Sequence, residues 1–294
     1  MEYRQIDLSA WKQVGEGGLG KTYENPDNPR ELLKHNKAQM DDLGTVEREY
    51  QCAKNVLELG LPTPDVFEIV QIGDGFGTVS EKIVGKKSLS RLIADNPGDV
   101  EKIAGIMASE GKRLHGTPCN LPYFKSRKDI LMKALDVAGF VDKEDLAEIR
   151  AFASTVEDAP TCLHGDFQMG NLIVSGEGKP YWIDLGWFSH GDPYFDLGHL
   201  SLLCFFYSRF PQTQEIFHIG EEQFHAFWDA FAVAYTGEKD HSAFDARAGK
   251  FAPFDMIIRN YFIPSTPDYS GLFAQLVHAL VEKYYYPCPA SSFI

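Results

Sequence analysis

The sequence predicts an α+β fold, with a small β-rich N-terminal lobe followed by a larger, mainly helical C-terminal lobe. Three observations predict it. Residues 11–34 alternate short apolar runs with turn formers, two further strand-like runs occupy residues 66–72 and 77–83, and from residue 90 to 157 the apolar positions recur at helical spacing. Strands gathered before helices belong to α+β architectures rather than to alternating βαβ units. The break Gly85-Lys86-Lys87-Ser88 sets the expected division at residues 1–84 and 85–294.

Taken in order, residues 11–34 read as strand, glycine-rich turn, strand, a second turn around Pro26 and Pro29, and the short strand Glu31-Leu32-Leu33-Lys34. Val46, Tyr50, Ala53, Val56 and Leu57 then form a helical stripe, which Gly60, Pro62 and Pro64 end. In the helical lobe Val100, Ile103, Ala104, Met107 and Leu114 make a second stripe. Short strands interrupt that lobe near residues 161–163, 171–174 and 180–183. Phe224, Phe227, Trp228 and Phe231 are expected in the core of a later helix.

Composition narrows the function. The chain has 294 residues, 44% of them hydrophobic and 24% charged, which suits a folded globular protein. Its net charge of −14, from 42 acidic against 28 basic residues, would repel a phosphate backbone, so nucleic acid is not an expected partner. The five cysteines are scattered without a C-x-x-C pair, which argues against a disulfide framework or a zinc site. The longest apolar run, residues 197–206, contains a histidine and is too short to span a bilayer. These readings give a cytoplasmic protein with no membrane partner.

The glycine-rich segment Gly15-Glu16-Gly17-Gly18-Leu19-Gly20-Lys21-Thr22 fits three patterns: a dinucleotide fold, a P-loop and a kinase loop. The first two need a helix directly after the glycines, because the helix N-terminus binds the phosphates. Pro26 and Pro29, with turn formers between them, exclude that helix and leave a β-hairpin. In the kinase pattern Gly15, Gly17 and Gly20 cover a triphosphate. A lysine one strand later, Lys34, pairs with its phosphates and is oriented by a carboxylate of the next helix, Glu49 or else Glu47.

The strongest signal is Leu163-His164-Gly165-Asp166, with Asn171 five residues after Asp166, then Tyr181-Trp182-Ile183-Asp184-Leu185-Gly186. Phosphoryl transfer needs a carboxylate to align and deprotonate the attacking hydroxyl, and oxygen ligands to hold Mg2+ on the phosphates. Asp166 suits the first role, as catalytic base; Asn171 and Asp184 suit the second.

At these residues, and at Asp192-Pro193-Tyr194-Phe195-Asp196-Leu197, the chain resembles the aminoglycoside phosphotransferase and choline kinase-like family of small-molecule kinases. The resemblance implies a protein-kinase-like two-lobed fold, ATP or sometimes GTP, Mg2+, and a small hydroxylated acceptor: an aminoglycoside, a choline-like amine, a sugar or an amino alcohol. It further implies that Glu81 and Ile83 lie at the hinge that meets adenine, and that His164 and Asp196 support the catalytic loop. Ser80 departs from the pattern, which commonly has a large apolar residue before Glu81. A protein kinase would carry a long activation segment after Asp184, whereas Asp192-Pro193 arrives almost at once. A non-catalytic nucleotide sensor would ordinarily lack an essential group, and Lys34, Asp166, Asn171 and Asp184 are all present. Two further possibilities are of lower weight: a metal cluster of His190, Asp192, Asp196 and His199, and an acidic cleft for a cationic acceptor from Asp229, Glu238, Asp240, Asp245, Asp255 and Asp268. His199 is expected to be packed or solvated.

Overall fold

Turn residues at Pro26 and Pro29 and glycines between strands fold the N-terminal chain back on itself, and the computed structural model describes the result for residues 3–16, 20–37, 41–263 and 267–286. The elements in chain order are β1 (Arg4–Gln5), β2 (Lys12–Glu16), β3 (Gly20–Glu24), β4 (Glu31–Asn36), α1 (Leu43–Glu58), β5 (Val66–Ile72), β6 (Gly75–Glu81) and β7 (Lys87–Ser88). There follow α2 (Leu89–Asp95), α3 (Val100–Gly116), α4 (Arg127–Asp136), α5 (Lys143–Thr155), β8 (Cys162–Leu163), β9 (Leu172–Val174), β10 (Pro180–Trp182) and β11 (Ser189–His190). The chain then continues through α6 (Tyr194–Phe205), α7 (Pro211–Phe217), α8 (Glu221–Thr236), α9 (Ser242–Phe262) and α10 (Pro267–Tyr284).

These elements form two compact units, Met1–Leu89 with Asn171–Trp187, and Ser90–Gly170 with Phe188–Ile294. The segment Asn171–Trp187 follows residue 84 in sequence yet belongs to the first unit, because β9 pairs with both β10 and β7.

In the first unit a six-stranded sheet runs in the order β1-β5-β6-β4-β3-β2. Its pairs are antiparallel except β1 on β5, where Arg4 lies opposite Val70. Alternate residues of β4, β5 and β6 point inward, so that Leu33, Val70, Ile72 and Val79 form a core with Ile6, and Leu8, Trp11 and Tyr23 pack against it. Each such apolar side chain contributes about 1.5–3 kcal/mol on burial. Helix α1 starts where the Asp42 carboxylate accepts the Thr45 N–H at 3.0 Å, buries Val46, Cys52 and Val56, and stops before Gly60, whose φ is +75°.

The second unit is built on α6, which is buried from Phe195 to Cys204, mainly through apolar side chains, with Asp196, His199 and Ser201 the polar exceptions. Helix α9 packs on it at Gly198: a Cβ there would lie 2.6 Å from the Phe251 Cβ and 2.8 Å from the Phe251 carbonyl carbon. Only glycine permits this approach. Helix α8 covers α3 with Phe224, Phe227, Trp228 and Phe231, all fully buried. Tyr285, just beyond α10, donates its hydroxyl to the Lys250 carbonyl on α9; residues 287–294, with the rest of the C-terminal Tyr-Pro-Cys segment, lie outside the described residues. Among the described residues no helix is long and apolar enough to cross a membrane.

Candidate active site

The glycine-rich segment joins β2 to β3 as a hairpin, with Glu16 opposite Lys21, so a strand and not a helix follows the glycines. Gly15 is the last residue but one of the first strand and Gly20 opens the second. At Gly20 a Cβ would come within 2.5 Å of the His35 carbonyl oxygen on β4, so a larger residue would push the hairpin off the sheet. Gly17 lies outside the described residues. Lys34, on β4 beside this hairpin, places Nζ 3.1 Å from Glu49 Oε2 of α1. The Asn36 amide reaches the other Glu49 oxygen at 3.4 Å, while Glu47 accepts instead from the Tyr3 hydroxyl at 3.1 Å. Further along, the Glu81 N–H donates to Asp65 O at 2.7 Å, the Asp65 N–H donates to the Glu81 carboxylate at 3.3 Å, and Ile83 is buried.

Asn171 and Asp184 come to one end of the β9–β10 pair. Leu172 lies opposite Trp182, and the Ile183 N–H donates to the Asn171 carbonyl at 3.0 Å, closing the ladder just before Asp184. Asp184 adopts a left-handed φ of +56°, a conformation that Asp tolerates better than most residues, and its side chain is exposed. The turn beyond it is tied to α1 by the Cys52 thiol, which donates to Leu185 O at 3.0 Å. A carboxylate and a carboxamide are the hard oxygen donors that Mg2+ prefers, and nucleotide phosphates and water commonly complete its shell. The donor set therefore fits that ion. Among the described residues no group of three or more His, Cys, Asp or Glu could hold a metal by itself.

In the second unit, β8 delivers the turn His164-Gly165-Asp166. The Asp196 carboxylate of α6 accepts the N–H of His164 at 2.7 Å and that of Gly165 at 2.8 Å, and Gly165 takes a φ of +77° that suits glycine. His115 Nε2 lies 3.2 Å from the same carboxylate, with its Nδ1 2.8 Å from the Tyr235 hydroxyl. Burial opposes the ionised form of Asp196, but the His115 hydrogen bond and charge, aided by His164, hold its carboxyl below the usual range. His164 Nδ1 accepts the Asp166 N–H at 3.3 Å, so this ring supports the turn.

Asp166 is itself paired. Its Oδ1 lies 2.6 Å from Arg259 Nη2 of α9 and 3.2 Å from His199 Nε2 of α6. Asp255, one helical turn before Arg259, binds both cations, with His199 Nδ1 at 3.0 Å and Arg259 Nε at 2.9 Å. Burial opposes ionisation of Asp166, yet the His199 hydrogen bond and charge, with Arg259, hold its carboxyl well below the ordinary range. Burial likewise opposes the charged form of His199, but Asp255 and Asp166 outweigh it and raise the imidazole to about 9.

The sequence pattern of the phosphotransferase enzyme family matches residues 11–239, well over half of the chain. The chain belongs to this family. It is therefore a phosphotransferase. Aminoglycoside 3'-phosphotransferases of Salmonella typhimurium and Escherichia coli are 28% and 29% identical to it over 216 residues, 66% of this chain and 78% of theirs. A choline/ethanolamine kinase family protein of Mesorhizobium loti superposes with a TM-score of 0.57 at 16% identity, covering 92% of this chain and 88% of its own. An aminoglycoside phosphotransferase crystallised with ADP and hygromycin B gives 0.60 at 15% identity, with 95% of each chain covered. The fold is the protein-kinase-like one that the resemblance implies.

In this phosphotransferase several of the remaining histidine and acidic residues have identifiable partners, and Asp196 anchors the catalytic turn as expected. His199 is neither merely packed nor solvated but bridges Asp166 and Asp255. The imagined metal cluster is dispersed: Asp192 pairs with Arg247 at 2.7 Å, His190 approaches Asp158 at 3.7 Å, and Asp196 holds the loop. Asp255 is buried among cations instead of lining an acidic cleft, Asp245 receives the Trp228 indole N–H and His241, and Asp240 caps Ser242. Arg259 went unnoticed, although its i,i+4 carboxylate partner Asp255, set beside the apolar run Met256-Ile257-Ile258, was a visible signal.

Proposed function

We propose that this phosphotransferase transfers the γ-phosphoryl group of ATP to a hydroxyl of a small molecule, with Asp166 facing that hydroxyl. The observation that carries the reading is the Lys34–Glu49 pair at 3.1 Å on the strand beside the glycine hairpin. A lysine held in place by a helical carboxylate can neutralise the phosphates without losing orientation. In this reading residues 1–84 hold the nucleotide, Gly15, Gly17 and Gly20 cover its phosphates, and Glu81 and Ile83 meet adenine. Asn171 and Asp184 would hold Mg2+, which when bound neutralises charge on the phosphates. Residues 85–294 supply Asp166 and the acceptor site.

Asp166 is a weak base, since its partners keep it ionised to low pH. That suits a loose transition state, in which the hydroxyl loses its proton late and alignment counts for more than proton affinity. The acceptor class is that of the relatives named above or a neighbouring one: an aminoglycoside, a choline-like amine, a sugar or an amino alcohol. ADP release in the presence of Mg2+ and ATP, measured alone and against a panel of these acceptors with Asp166→Ala as blank, tests the reading. Acceptor-dependent release that the substitution abolishes is expected. Equal release by the Asp166→Ala protein would remove Asp166 from the chemistry, and release without any acceptor would make the chain an ATP hydrolase.

A further inference from the structure

We propose that Arg259 and His199 are positioning residues for phosphoryl transfer, converging from α9 and α6 on one oxygen of Asp166 so that its carboxylate is presented to the acceptor hydroxyl in a single direction. The inference rests on the reading of Asp166 given above. An aspartate side chain in a turn has two free torsions, and a hydroxyl-facing role needs both to be fixed. His199 Nε2 at 3.2 Å and Arg259 Nη2 at 2.6 Å meet the same Oδ1 from different helices, which determines the plane of the group as well as its place.

The two cations are themselves held. Asp255 takes His199 Nδ1 and the Arg259 Nε, and a second arginine, Arg127 of α4, lies 3.9 Å from Asp255 Oδ1. Arg127 and Arg259 also donate to the Gly165 carbonyl, at 3.3 and 3.4 Å, fixing the backbone directly before Asp166. His164 on the turn, Asp196 through Arg127, and Tyr207 after α6 also face the cluster, the last raised by burial and by the charge of Asp255. Asp255 is 3% exposed and His199 6%, so neither can be solvated in place of its partners. Forming such a network costs desolvation, but removing one partner strands a buried charge, and that resistance to breaking is the property required of a scaffold beneath a reacting group.

The test uses the full chain and three substitutions, Arg259→Gln, Arg259→Lys and His199→Gln, measured for kcat, for KM of ATP and of the acceptor, and across pH. Arg259→Gln is expected to lower kcat at least ten-fold while the KM for ATP moves less than two-fold, because the residue acts through Asp166. It is also expected to bring in an acid limb, since losing a cation raises the Asp166 carboxyl and activity then falls as pH drops. Arg259→Lys should keep the pH profile and restore part of kcat, the charge being retained and the planar fork lost. A merely structural role would lower thermal stability without moving the pH profile, and that result overturns the proposal. Should Arg259→Gln not fold, His199→Gln also removes a cation from Asp166 and is expected to show the same fall in kcat and the same acid limb. Imidazole titration of His199 by NMR needs no turnover: a value near 9 that drops in Asp166→Asn is expected, and an ordinary value near 6.5 would overturn the proposal. If Asp166→Ala abolishes transfer while all three substitutions are neutral, this inference falls and the function stands. If Asp166→Ala is neutral, the function falls first.

Discussion

Lys34 and Lys21 occupy neighbouring antiparallel strands, at different places in the ladder. Lys34 is held by Glu49, whereas Lys21 stands opposite Glu16 on one side and His35 on the other, inside a ladder. A P-loop lysine must follow the glycines into a helix, and here it follows them into a strand. Lys34→Ala is therefore expected to lower kcat/KM for ATP by about ten-fold or more, on the order of 1.4 kcal/mol in transition-state binding. Lys21→Ala should change it little. Both should leave the thermal midpoint nearly unmoved, since the Lys34–Glu49 pair is about a quarter exposed and half-exposed ion pairs contribute about 0–1 kcal/mol. Steady-state kinetics with calorimetry checks this, and a larger loss at Lys21 would revive the P-loop reading.

Among the elements, those with a period were legible and those defined by contact were not. Strand β5 stands at residues 66–72 as the alternation predicts, and α1 runs Leu43–Glu58 where the stripe and the prolines place it. Strand β1 escaped notice because two polar residues, Arg4 and Gln5, have no period; only their pairing with Val70 and Gln71 makes them a strand. The Asp166 turn was legible from its motif, while Arg259, 93 residues further on, became its partner only through the packing of α9 on α6. Gly198 is where that packing can be tested. Gly198→Ala would drive a methyl into Phe251 and force the helices apart, at a cost of about 1–3 kcal/mol. Because His199 is the next residue and Asp255 and Arg259 lie on the displaced helix, activity should fall with stability. Gly105→Ala, within α3 and with nothing in the way of a Cβ, should instead add about 0.5–1 kcal/mol and leave activity alone. Thermal melts and initial rates of the two variants decide it, and equal effects would mean that the close approach at Gly198 has no special weight.

At the scale of the whole molecule, the buried charges of the second unit define a pH window of stability. Folded His199 binds its proton more tightly than the unfolded chain does, about 9 against an ordinary 6.5, so its contribution is fully present below 6.5 and is lost as pH rises towards 9. That contribution is on the order of 3 kcal/mol. Asp166, Asp196 and Asp255 have the opposite sign: their folded carboxyls sit below the ordinary 3.8, so they stabilise above that value and cease to as pH falls beneath it. Stability should therefore be greatest between about 4 and 6.5 and should decline on both sides. The net charge of −14 adds self-repulsion on the alkaline side, which would steepen the decline without any histidine. His199→Gln separates the two causes. The variant is expected to be less stable than the parent at pH 6 and to converge with it by about pH 10, since glutamine never carries the charge that the parent loses there. Urea unfolding at a series of pH values measures this, and a constant stability difference across the range would show that folding does not raise the His199 imidazole above its ordinary value.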